Sequence, residues 1–129
     1  MLELISPQQI LFNGEVQFVM LPGSEGDMTV YPGHATLVTL VNPGMIEALD
    51  AEGNTMRTFI GRGFAEITDV GVTVLAEAAV MEEELSPEHV EDEIMRLQTE
   101  IETAADETVR TTRRSLILRL EQIKITFNR

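Results

Sequence analysis

Between Leu2 and Ala79 hydrophobic residues come in short runs that alternate with polar ones and stop at turns. Glu15 to Leu21 puts Val16, Phe18 and Met20 on one face of an extended segment. Ala35 to Val41 is a β-branched apolar run, and Met45–Leu49 and Thr55–Ile60 flank a loop, Asp50-Ala51-Glu52-Gly53-Asn54, that ends in residues tolerant of positive φ. Glycines punctuate the next turns at Gly61, Gly63 and Gly71, after which Val72, Val74 and Ala76 alternate again. Short strands with a turn about every 8–12 residues predict a β-sandwich or flattened barrel.

After Glu82 the period changes. Ser86-Pro87 supplies an N-cap followed by proline at the first helical position. Val90, Ile94, Leu97 and Ile101 then form one apolar stripe, and Leu116, Leu120, Ile123 and Phe127 repeat it. The best break is Ala104-Ala105-Asp106, with Asp106 as a second N-cap. The pattern predicts a sandwich over 1–84 and an antiparallel two-helix hairpin over 85–129. A single long helix is the alternative, because no Gly or Pro follows Pro87.

The chain of 129 residues can bury roughly two thirds of its unfolded surface, which suffices for one core. Its 22 acids and 9 bases give a net charge of −13, so nucleic acid and anionic lipid are not expected as partners. The absence of Cys excludes a disulfide framework, a thiolate metal site and a Cys nucleophile. No run approaches the ~18 apolar residues of a membrane span. The start, MLELISPQQILF, has neither a basic region nor the Arg content of a leader. A soluble intracellular protein is expected.

Charge also divides inside the helical part. Residues 83–109 hold ten acids and one base, Arg96, while 110–129 hold six bases and one acid, Glu121. Antiparallel helices of opposite sign attract each other, each exposed pair contributing about 0–1 kcal/mol. The sharper reading is that the basic helix meets an acidic partner when the hairpin opens.

Candidate chemistry is sparse. Ser24 and Ser86 lack a nearby His in sequence; His34 sits in a Gly loop and His89 in a first helical turn, where capping is the common role. Gly23-Ser24-Glu25-Gly26-Asp27 lacks the lysine and spacing of a phosphate loop, and its carboxylates would repel phosphate. Two acids fall short of the six to eight oxygens Ca²⁺ takes, so no metal is expected. A metal-dependent β-sandwich enzyme would need a His/Glu cluster, and only two His exist.

The run LPGSEGDMTVYPGHATLVTLVNPGMI, Leu21 to Ile46, resembles the ε subunit of bacterial F-type ATP synthases, as do Gly61-Arg62-Gly63-Phe64-Ala65-Glu66 and Val72 to Ala79 (VTVLAEAA). Thr29 and Thr36 stand where that family often has Gly and Pro. The resemblance implies an N-terminal sandwich, a C-terminal helical hairpin and a non-catalytic place in the rotor's central stalk, coupling proton flow to ATP synthesis. It implies a γ subunit on one side of the sandwich and the c-ring at one end, with Glu25, Asp27, Tyr31 and His34 in the ring-facing loop. It also implies that Arg110, Arg113, Arg114, Arg119 and Lys124 can meet the catalytic β and α subunits, giving the hairpin a weak regulatory role. Some relatives bind ATP through an [IL]-D-x-x-R-A motif. Here Asp92, Glu93 and Arg96 are a degenerate version, so no nucleotide or other cofactor is expected. The implied location is the cytoplasmic face of the bacterial inner membrane, peripheral and held only through the complex. A plastid-encoded chain is equally compatible with the missing leader. The reading from another class is a free-standing acidic β-sandwich adaptor, which would not co-purify with a membrane ATPase.

Overall fold

The computed structural model describes residues 1–126; Phe127 and Arg129, expected in the stripe and the basic helix, lie outside them. The chain divides into two compact units, Met1–Glu83 and Glu84–Arg129.

In the first unit the strands are β1 (Leu2–Ile5), β2 (Ile10–Gly14), β3 (Val16–Gly23), β4 (Gly26–Val30), β5 (Leu37–Val41), β6 (Gly44–Asp50), β7 (Thr55–Ile60), β8 (Gly63–Ile67), β9 (Val72–Ala76) and β10 (Ala79–Met81). Hydrogen bonding connects them in the order β10-β7-β6-β3-β5-β8-β9-β1-β2, with β4 also on β3. All neighbours are antiparallel except β1 and β9. The path folds back on itself as a nearly closed sandwich. Leu2, Leu4, Val19, Leu21, Ile46, Ile60, Ile67 and Val74, drawn from both halves of the path, share one core.

The turn between the halves is made by β3. Its residues 16–20 pair with β6, but Gly23 pairs with Val41 of β5. Pro22 has no N–H to continue the ladder, while its carbonyl accepts from the Asn42 N–H at 2.8 Å. Ser24 N–H donates to the Leu40 carbonyl and Asn42 Nδ2 to the Gly23 carbonyl, closing the corner. At Gly23 a Cβ would stand 2.8 Å from the Gly26 carbonyl oxygen, so only glycine lets β3 and β4 meet there.

The expected loop at 50–54 is a capped hairpin: Asp50 Oδ1 accepts from the Glu52 and Asn54 N–H groups at 3.0 and 2.8 Å, and Gly53 has φ +89°. Alternation located β3, β6, β7 and β9. The strand character of residues 26–30 and 63–67 was hidden by the glycines and acids around them.

In the second unit, α1 (Pro87–Thr103) and α2 (Glu107–Thr126) replace the alternative of one long helix. Ser86 is the N-cap of α1, and its N–H donates to His89 Nδ1 at 3.1 Å, so His89 closes a capping box. The break comes at Ala104. Asp106 Oδ1 accepts from the Thr108 N–H at 2.8 Å and starts α2. Val90, Ile94, Leu97, Leu116 and Leu120 are buried.

A fragment of residues 1–84 is expected to be soluble and to unfold in one urea transition followed by circular dichroism. A disordered fragment beside a folded full chain would show that the sandwich does not stand alone.

Candidate functional site

Three surfaces carry the residues of interest. The first is the tip of the β3–β4 hairpin, where Gly23 pairs with Gly26 across a two-residue turn, Ser24-Glu25. Gly26 has φ +126°, a backbone state that favours glycine. Glu25 and Asp27 are both exposed here, close to the Pro22–Gly23 corner that holds the turn.

The second surface is the outward face of β5, β8, β9, β1 and β2. Leu40 pairs with Phe64, Phe64 with Leu75, Leu75 with Ile5 and Ile5 with Ile10. Five strands thus contribute one transverse apolar row. Leu40 is 67% exposed, Ile10 59%, Leu75 42% and Phe64 39%. The adjacent row runs Val38, Glu66, Thr73, Glu3 and Asn13 by the same registers. Val38 is exposed and two carboxylates lie in this row. A contiguous apolar row bordered by polar groups marks an interaction surface. Sequence reasoning missed it. The signal was apolar residues on both faces of β8 and β9, with exposed Phe64 next to buried Ala65 and exposed Leu75 next to buried Val74.

The third surface is the charged seam of the helical hairpin. Arg113 Nε donates to Glu100 at 2.8 Å and Lys124 Nζ to Glu91 at 2.7 Å, both between the helices. Arg110 donates to Glu107 through two nitrogens, at 2.9 and 2.6 Å, and to the Ala104 carbonyl. Arg114 reaches Glu107 at 3.3 Å. The Arg110 hydrogen bond, helped by Arg114, holds the Glu107 carboxyl below its ordinary value of 4.5. The Glu91 hydrogen bond, with Glu121 beside it, raises the Lys124 ammonium above its ordinary 10.5. Arg119 is exposed and also engaged.

The sandwich matches the model of the family described as "ATP synthase, Delta/Epsilon chain, beta-sandwich domain" over residues 1–82. An ATP synthase epsilon chain of Maricaulis maris is 36% identical over 122 residues, covering 95% of this chain and 91% of the relative. The chain belongs to the ATP synthase epsilon chain family. An epsilon chain of Sinorhizobium medicae is 42% identical over 105 residues, covering 81% of this chain and 78% of its own. The fold also matches a chain in the cryo-EM structure of Euglena gracilis mitochondrial ATP synthase, OSCP/F1/c-ring in rotational state 1. That match has a TM-score of 0.70 at 24% identity and covers 98% of this chain and 80% of that one.

The ring-facing loop expected of an epsilon chain is split by the structure. Glu25 and Asp27 share the hairpin tip, but β4 then carries the chain about 13 Å from Asp27 to Tyr31 at ~3.3 Å per residue. Val30 pairs with Val19, so Tyr31 and His34 lie towards the opposite end of the sandwich. There Tyr31 packs on Phe18 with ring centroids 5.9 Å apart, and His34 Nδ1 lies 2.6 Å from the Ala35 carbonyl. One loop by sequence is two surfaces, because residues 26–30 are a strand.

The residues of the degenerate nucleotide motif lie on the first helix of the hairpin. Glu93 is buried, with Arg96 Nη1 3.7 Å from its Oε1, whereas Asp92 is exposed. Among the described residues no group of three or more His, Cys, Asp or Glu could hold a metal. None of their helices is long and apolar enough to cross a membrane.

Because the Glu107 value is lowered, its contribution to stability is present above its ordinary value and is lost as pH falls through the lowered one. NMR titration of the carboxyl carbons should give Glu107 a midpoint below the exposed glutamates, and Arg110→Ala should move that midpoint upward. An unmoved midpoint in the variant would mean that Arg110 is not the cause.

Proposed function

We propose that this chain is a non-catalytic rotor subunit of the central stalk of a proton-translocating F-type ATP synthase, coupling c-ring rotation to ATP synthesis. The observation that carries the reading is the transverse apolar row Leu40–Phe64–Leu75–Ile5–Ile10, on a sandwich of the epsilon chain family. In this reading the row takes the γ subunit. A rotor contact must transmit torque without sliding, and an apolar row crossing five hydrogen-bonded strands is a rigid surface.

The hairpin tip with Glu25 and Asp27 takes the c-ring, its glycines fixing the turn and its acids meeting basic or amide groups of the ring's polar loops. Tyr31 and His34 belong to a separate contact of the stalk. Membrane association runs only through the complex, on the cytoplasmic face of a bacterial inner membrane.

The helical hairpin has at most a weak regulatory part. Arg110, Arg113, Arg114 and Lys124, the residues that would meet the catalytic β and α subunits, are already paired within the hairpin. These are largely surface pairs of about 0–1 kcal/mol each, weakened by salt.

Two charge changes separate the sandwich contacts. Phe64→Glu should lower affinity for γ by about tenfold or more, as expected for an anchor side chain. Asp27→Lys should leave that affinity within about twofold and reduce proton pumping by the reconstituted enzyme, its exposed site costing the fold no more than about 0.5 kcal/mol. Unchanged γ binding by the Phe64 variant would remove the row from the interface.

For the hairpin, truncation after Glu84 should change ATP hydrolysis by the reconstituted enzyme by less than about tenfold, matching a latch of weak pairs. Calorimetry on the full chain should find no micromolar ATP binding. A much larger release of hydrolysis, or such binding, would overturn the weak-regulation reading.

A further inference from the structure

The sandwich contains a sulfur cluster that no docking role uses. Thr58, on β7, is fully buried, and its Oγ1 lies 3.0 Å from Met56 Sδ and 3.2 Å from Met81 Sδ. A hydroxyl has one proton, so it donates to one thioether at a time and leaves the other sulfur's lone pairs uncommitted. Met56 is two residues away on the same strand, while Met81 sits directly opposite Thr58 on β10. Both methionines are half-buried, neither sealed in the core nor loose on the surface.

β10 is an edge strand of three residues, held to β7 by the pairs Ala79–Ile60, Val80–Phe59 and Met81–Thr58. The thioether contact is therefore the side-chain clasp at one end of a short ladder. Just beyond it, Glu82 pairs with Arg57 of β7 at 3.5 Å.

We propose that Met56 and Met81 form a reversible oxidation site, at which a peroxide converts thioether to sulfoxide and releases β10 from β7. The sulfur lone pair attacks the distal peroxide oxygen, the O–O bond breaks, sulfur loses two electrons and gains one oxygen, and hydrogen peroxide leaves as water. The product does not fit the present geometry. A hydroxyl-to-sulfoxide hydrogen bond needs about 2.7 Å between the oxygens alone. At the lone pair that faces Thr58 Oγ1, 3.0–3.2 Å between oxygen and sulfur leaves no room for an added oxygen, so oxidation there turns the Met81 side chain away from Thr58 and undoes the clasp. A sulfoxide is also polar and chiral, unlike the flexible apolar side chain it replaces. Among the described residues β10 pairs with no strand besides β7, so loss of the clasp loosens that edge ladder and not the core ladders.

The test uses the full chain treated with hydrogen peroxide. Site-resolved peptide mass spectrometry reads sulfoxide, and hydrogen–deuterium exchange reads the amides of residues 79–81. Sulfoxide at Met56 or Met81 should speed exchange at 79–81 by about tenfold or more, the signature of local opening, with β1 and β9 unchanged. Methionine sulfoxide reductases A and B together should restore protection, because each reduces one epimer. Met56→Leu with Met81→Leu, close in volume, should keep β10 protected after peroxide. If the double variant fails to hold β10 before treatment, the two single variants give the same comparison. Three results would each overturn the proposal: both sulfurs remaining reduced while exposed Met95 is fully oxidised, sulfoxide at Met81 with unchanged protection, or the same loss of protection in the leucine variants.

Discussion

Proline cannot donate to a β-ladder, and at Pro22 that deficit makes the sandwich turn. Up to Met20 strand β3 belongs with β6; one residue past Pro22 it belongs with β5. The Pro22 carbonyl, free of any ladder to β6, accepts from Asn42, and Gly23 admits the backbone of β4 where any side chain would collide. Because β3 changes partner, the inward faces of both halves meet over one core. The same corner holds the tip that presents Glu25 and Asp27. The proline and glycines around the acids are thus structural.

The surfaces follow from sheet geometry and not from loops. A row across hydrogen-bonded neighbours is as rigid as the ladders beneath it, and Leu40, Phe64, Leu75, Ile5 and Ile10 form such a row. Glu66 and Glu3 in the next row border it, so a partner with an apolar ridge and a basic flank fits best. The acidic tip lies at the end of the sheet, apart from that row. In the function proposed above, these two separate surfaces let one small domain meet two partners at once.

The helical hairpin is built on a different balance. Its apolar stripe supplies the packing, and the ion pairs Arg113–Glu100 and Lys124–Glu91 bridge the helices at two levels. Arg110 ties Glu107 to the Ala104 carbonyl, so the break between the helices is itself held by charge. Acidic α1 is the first partner that basic α2 finds. An external acidic surface must compete with pairs already made, and salt weakens both.

The sequence alone determined where strand period gives way to helix period, because alternation and the 3–4 spacing are local properties. It determined the caps at Ser86 and Asp106, the turn at 50–54, and a family resemblance carried by contiguous residues. Tertiary structure alone decided which residues share a surface. Glu25, Asp27, Tyr31 and His34 read as one loop until β4 separated them, since a strand of five residues is long compared with a side chain. The apolar row was invisible for the converse reason. Its members lie far apart in sequence, from Ile5 to Leu75, and only the registers of five strands bring them side by side. Likewise Met81 meets Thr58 because β10 pairs with β7, and no local pattern encodes that pairing.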